Sequence, residues 1–218
     1  MLYIILFFSG GLSLPSINSV INEPVISFSA NNELLRLFTY TIPGLALIWY
    51  LILNKKSLLV SINDLKPQKS DIISFALGFP GLILIGIAVS LLASAVNISN
   101  TGFMPQITIQ APDNVFVWII LIISCMGLAY LEESYFRFYL LKKFESIILF
   151  TPLRILFPAF LFALSHSWEG AFGMINAFLA GIFLSLLFIK YKSMHGISWA
   201  HGCYNLFVIV WVSLETLA

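Results

Sequence analysis

Charge is scarce in this chain. Of its 218 residues only 10% are Asp, Glu, Lys or Arg, where a soluble domain carries about 25%. So few charged groups cannot cover a surface facing water, which excludes an ordinary soluble fold. Neither sign is in excess, with 11 Lys plus Arg against 10 Asp plus Glu. Nothing therefore points to nucleic acid as a partner. Cysteine is nearly absent: Cys125 and Cys203 stand far apart in apolar stretches, which argues against a disulfide framework and leaves no zinc-type cysteine spacing. No HExxH motif, internal repeat or low-complexity segment occurs.

What the chain has in quantity is apolar side chain, 60% of residues, with a mean hydropathy of +0.97. A helix needs about 20 mainly apolar residues to cross the hydrocarbon core. Such runs lie at approximately 37–53, 71–95, 115–141, 148–167, 171–189 and 197–217. Residues 1–22 carry no charge, and with no Lys or Arg before the apolar run they read as a first span rather than a signal peptide. The expected fold is all-α: a polytopic transmembrane helical bundle of about seven spans (six to eight), with 1–218 forming a single membrane domain. Small-residue spacings such as Gly86/Ser90/Ser94 and Ala177/Gly181 suit close helix packing.

Loop charge sets the orientation. Lys55, Lys56, Lys66 and Lys69 follow one run, Lys142 and Lys143 another, and Lys190 and Lys192 a third. These connections are expected on the cytoplasmic side. The 96–114 connection has neither Lys nor Arg and is expected on the other side, as is the C-terminus.

The informative residues are polar ones within the spans, where a charge at a helix centre costs about 2.5–3.5 kcal/mol on insertion scales. Glu132-Glu133-x-x-x-Arg137 is the first group. Adjacent helical residues diverge by about 100°. Glu133 can therefore pair with Arg137 one turn on, while Glu132 points elsewhere as a free carboxylate, the kind of group a general base requires. Phe162-x-x-x-His166 is the second, placing a ring and an imidazole on one face. His201-x-x-x-Asn205 is the third, and its imidazole and amide together can donate into an oxyanion site. Each group has a plain structural alternative: a charged helix end, a structural histidine, a packing pair. Trp168 and Glu169 read as an interface marker and a loop charge, His195 and Glu215 as interface residues. Measured from Lys142, Arg154 and Lys192, however, Glu132, His166 and His201 all lie roughly 13–18 Å deep. Three helices would then line one polar cavity.

In order and placement, these three motifs resemble the signature of the CAAX-protease and bacteriocin-processing (CPBP, or Abi) family, which includes the type II CAAX prenyl endopeptidases. The resemblance covers about 115–210. It implies an intramembrane endopeptidase in which Glu132 and His166 activate a water, His201 and Asn205 stabilise the oxyanion, and Glu133, Arg137 and Phe162 support the site. It also implies a glutamate-dependent reaction with no cofactor. The alternative is a zinc site at His166, His201 and Glu132, a legitimate catalytic donor set. Many members have glycine after the motif arginine, where this chain has Phe138. Partners would be membrane lipid and a peptide or protein substrate, lipidated or not. The location would be a multi-pass integral membrane protein, in the plasma (inner) membrane if bacterial. A non-catalytic adaptor or immunity protein, or an ion transporter, would carry intramembrane charge for other reasons.

Overall fold

A computed structural model describes residues 25–54, 66–96, 108–145, 147–148 and 150–215. The span expected at 1–22 lies outside the described residues. Six helices follow in order: α1 (Ala30–Asn54), α2 (Lys69–Ala95), α3 (Val115–Glu145), α4 (Thr151–Ser165), α5 (Gly170–Tyr191) and α6 (Met194–Glu215). Two three-residue strands, β1 (Val25–Ser27) and β2 (Thr108–Gln110), pair in parallel before α1 and α3. They sit in connections, so the architecture remains a helical bundle.

Helix starts are specified locally. Ser29 accepts from the Asn32 N–H at 3.3 Å, and Asn114 accepts from the Val117 N–H at 3.0 Å. Each satisfies one of the orphan donors of a first turn. Before α2, Gln68 and Asp71 cap each other reciprocally. Leu84, Ile72, Leu91, Phe116, Phe160 and Trp211 are all exposed. Large apolar side chains facing outward from several helices fit lipid as the surrounding solvent. α1, α2, α3, α5 and α6 each contain a stretch long and apolar enough to cross a membrane.

α4 departs from expectation. The run expected to span 148–167 is helical only over Thr151–Ser165, 15 residues, or about 22 Å at 1.5 Å per residue. His166 leaves helical geometry (φ −103°, ψ 16°), and a 3₁₀ turn over Ser167–Glu169 leads to Gly170 at φ 79°. Only glycine adopts that backbone freely. α4 therefore stops short, and its polar end stays inside the bundle.

The core packs α2 against α5 and α6, α3 against α6, and α4 against α5. Gly181 meets α4, where a side chain at this position would stand 3.1 Å from the Ala159 Cα, and Ala177 is buried in the core. The other small-residue spacing works only at Gly86, which faces the Tyr204 hydroxyl. Ser90 and Ser94 are exposed, and Ser94 bonds back to its own helix. α3 widens into a π-helix over Ser134–Leu141, every residue of which is buried.

One polar knot closes the end of the bundle where α5 turns into α6. Lys192 caps α5 in the left-handed region (φ 53°), and Ser193 donates to Asp71 Oδ1 at 2.5 Å. The same Ser193 oxygen accepts from the Gly196 N–H at 3.1 Å. A Cβ at Gly196 would sit 2.3 Å from the Asp71 carbonyl oxygen, a backbone atom with little room to move. Gly196→Ala is expected to lower the thermal unfolding midpoint in detergent clearly, whereas Ser94→Ala should leave it nearly unchanged.

Candidate active site

The site is built around α3, at the point where regular helix passes into the π segment. Glu133 and Arg137 are one turn apart, and Arg137 Nη1 donates to Glu133 Oε1 at 2.7 Å. Both side chains are essentially inaccessible, at 0% and 1% exposure. Two charges buried together need further partners to offset lost hydration. The same Glu133 oxygen accepts from His201 Nδ1 on α6 at 2.8 Å. On its other side, the guanidinium lies 4.4 Å from the centroid of the Phe162 ring, a cation–π contact in a desolvated setting.

Glu133 fixes more than the arginine. A carboxylate so placed accepts, so Nδ1 of His201 carries the proton, and the other nitrogen, Nε2, is directed elsewhere. It stands 3.6 Å from Glu132 Oε2, which is buried and has no hydrogen-bond partner among the described residues. That separation is too long for a direct hydrogen bond. The divergence expected of adjacent helical glutamates is realised: Glu133 is locked into a pair, and Glu132 presents an open carboxylate oxygen.

The short α4 supplies the other imidazole. His166 Nδ1 donates to the Phe162 carbonyl at 2.9 Å, with the Ser165 hydroxyl 3.2 Å from the same nitrogen. A carbonyl can only accept, so the neutral ring carries its proton on Nδ1 and its lone pair on Nε2. The Phe162 ring packs against both histidines, 4.5 Å from the His166 ring and 5.8 Å from the His201 ring. It also packs edge-on against Phe136. Phe162 is thus a shared wall holding both imidazoles and the guanidinium in place.

Six of the seven residues singled out from the sequence converge: Glu132, Glu133, Phe162, Arg137, His166 and His201. Asn205 lies one turn along the His201 face, half-buried, and among the described residues nothing ties its amide to the cluster. Phe138 packs in the core against Trp49 and Phe188. His195 is bonded to the Tyr130 hydroxyl at 3.0 Å and stacks on Trp199.

Sequence reasoning missed Glu169. Read as a loop charge, it instead sits on the turn after α4, close enough to interact electrostatically with Glu132, His166 and His201. Its backbone N–H donates to the His166 carbonyl at 3.0 Å, and its side chain folds over Gly173. The available signal was Gly170 immediately after it, which marks a tight turn at the end of the histidine helix. Among the described residues, no three His, Cys, Asp or Glu side chains form a metal-ligand cluster.

The two glutamates should separate cleanly in stability. Glu133→Ala strands a buried guanidinium and is expected to cost about 3–5 kcal/mol. Glu132→Gln removes no structural partner and should leave the unfolding midpoint close to wild type. Thermal unfolding of the purified variants, followed by circular dichroism, checks both.

Comparison with curated proteins and with solved structures gives no match. A family model does match, over the segment that holds α3 to most of α6 and every residue of the cluster. Across residues 114–207 this chain carries the sequence pattern of the Rce1-like family, the type II CAAX prenyl endopeptidases.

Proposed function

We propose that this protein is an intramembrane endopeptidase that cleaves a peptide or protein substrate with a water activated by Glu132 and His166. The observation that carries the reading is the buried, unpartnered Glu132 oxygen facing the His201 ring at 3.6 Å, within the segment that matches the endopeptidase family.

The chemistry follows from the proton positions. A water held by Glu132 and the Nε2 lone pair of His166 loses a proton to Glu132 as its oxygen attacks the scissile carbonyl carbon. Negative charge then develops on the former carbonyl oxygen. His201, entering the reaction as the imidazolium, can donate to it from Nε2 while its Nδ1–H stays bonded to Glu133, and the Asn205 amide can supply a second donor. Donors already aimed at the developing charge need no reorganisation at the moment of reaction. The C–N bond then breaks, and Glu132 returns its proton to the departing amine. Glu133, Arg137 and Phe162 hold the imidazoles in orientation and do not touch the reacting atoms.

Comparative proteomics of protein termini, wild type against Glu132→Gln, tests the reading. Proton transfer by a positioned group contributes about 10²–10⁴-fold. A specific cleaved product is therefore expected to fall by at least the lower figure in the variant, at equal membrane abundance. A non-catalytic adaptor would give identical termini in both strains, and that result would sink the proposal.

The same reading is metal-free. Purified protein treated with EDTA or 1,10-phenanthroline should retain full activity on the product so identified. Loss that zinc restores would instead assign His166, His201 and Glu132 to a metal.

A further inference from the structure

A second polar feature lies at the opposite end of α4 from the histidine. A small cleft of about 60 Å³ lies between the end of α3, the start of α4 and the end of α5. Lys142, Arg154 and Lys192 line it, with Glu145 as the one acidic group and Thr151 and Phe188 between them. Among the described lining residues, three cations face one carboxylate, a balance of +2. Glu145 neutralises little of it, because its side chain is 63% exposed and lies 3.7 Å from Arg154.

Two of the cations are held in place. Arg154 Nη2 donates to the Thr151 hydroxyl at 2.7 Å, and its Nε is buried with no hydrogen-bond partner among the described residues. Lys142 sits over the Phe138 ring at 4.4 Å. Lys192 is fixed only in its backbone, as the left-handed cap of α5, and its side chain is exposed. The N-terminus of α4 opens here too, and no side chain caps it. The positive end of the helix dipole favours an anion at that point, although Pro152 supplies no N–H and the Arg154 N–H bonds the Phe150 carbonyl. Leu141, Phe188 and Ile189 form an apolar wall beside the charges.

We propose that this cleft binds a phosphate group, and that the apolar wall beside it suits a phosphate carried on an acyl glycerol, as in an anionic membrane lipid. Basic pockets between transmembrane helices recognise lipid headgroups in this way. Cations above and hydrocarbon below match a headgroup phosphate and its first methylenes. A bound lipid would clamp together α3, which carries Glu132, α4, which ends just before His166, and α5, which begins directly after Glu169. The site is independent of peptidase chemistry.

The test is thermal unfolding of the full chain in phosphatidylglycerol nanodiscs, in phosphatidylcholine nanodiscs, and in detergent with or without inorganic phosphate. The midpoint is expected to rise by several degrees in phosphatidylglycerol over phosphatidylcholine. Arg154→Gln with Lys192→Asn should abolish that gain, the asparagine being chosen because it tolerates the left-handed backbone. Lys66→Gln with Lys69→Gln removes the same charge from exposed positions outside the cleft, and should retain the gain. A comparable rise with inorganic phosphate in detergent, lost in the cleft variant, would keep the site and assign it to free phosphate. Equal midpoints in both lipids with no phosphate effect would overturn the proposal. So would a gain that persists in the cleft variant or vanishes equally in the exposed-lysine variant.

Discussion

The organising interaction is one carboxylate oxygen accepting two hydrogen bonds. Glu133 Oε1 receives Arg137 Nη1 at 2.7 Å and His201 Nδ1 at 2.8 Å, all within buried side chains. In a low-dielectric interior an unpaired ion would be severely penalised. The three groups therefore cannot separate without exposing charge to hydrocarbon. That obligation ties α3 to α6 and sets the tautomer of His201. Because Glu133 Oε1 is taken up by Arg137 and His201, Glu133 is held in place, whereas Glu132 is not tied into that network.

Phe162 extends the same logic to a third helix. Its ring touches the guanidinium and both imidazoles, and its carbonyl accepts from His166. One residue on α4 thus positions the second histidine with its backbone and braces the rest with its ring. The shortness of α4 matters for the same reason. A helix crossing the whole bilayer would carry its end to the interface, whereas this one ends among the charges of α3 and α6. The turn that follows delivers Glu169 to the same place. The two ends of α4 are then chemically distinct: carboxylates and imidazoles gather at its C-terminus, lysines and an arginine at its N-terminus.

Much of this was legible from spacing. An α-helix places residues four apart on one face, so the Glu133–Arg137 pair and the Phe162–His166 contact follow from local geometry. The split between Glu132 and Glu133 follows from the 100° turn per residue. The matched depths of Glu132, His166 and His201 anticipated their convergence. Other features left no such trace. The helix of α4 ends at Ser165, two residues before the expected end at 167, a boundary that composition does not locate. The π winding over Ser134–Leu141 has no simple periodic signature. Glu169 looked like a solvated loop residue because only its fold-back over Gly173 brings it inward.

By itself, the sequence determined that the bilayer is the solvent, which segments become helices, and which polar residues share a helical face. Those properties depend on hydrophobicity and on the repeat of a single helix, and both are local. The tertiary structure alone decided that Glu133 serves His201, that Phe162 packs against the His201 ring of another helix, and that Glu169 comes near them. Glu133 and His201 are 68 residues apart and on different helices. Such contacts depend on how helices pack and rotate against one another, which no pattern within one helix encodes.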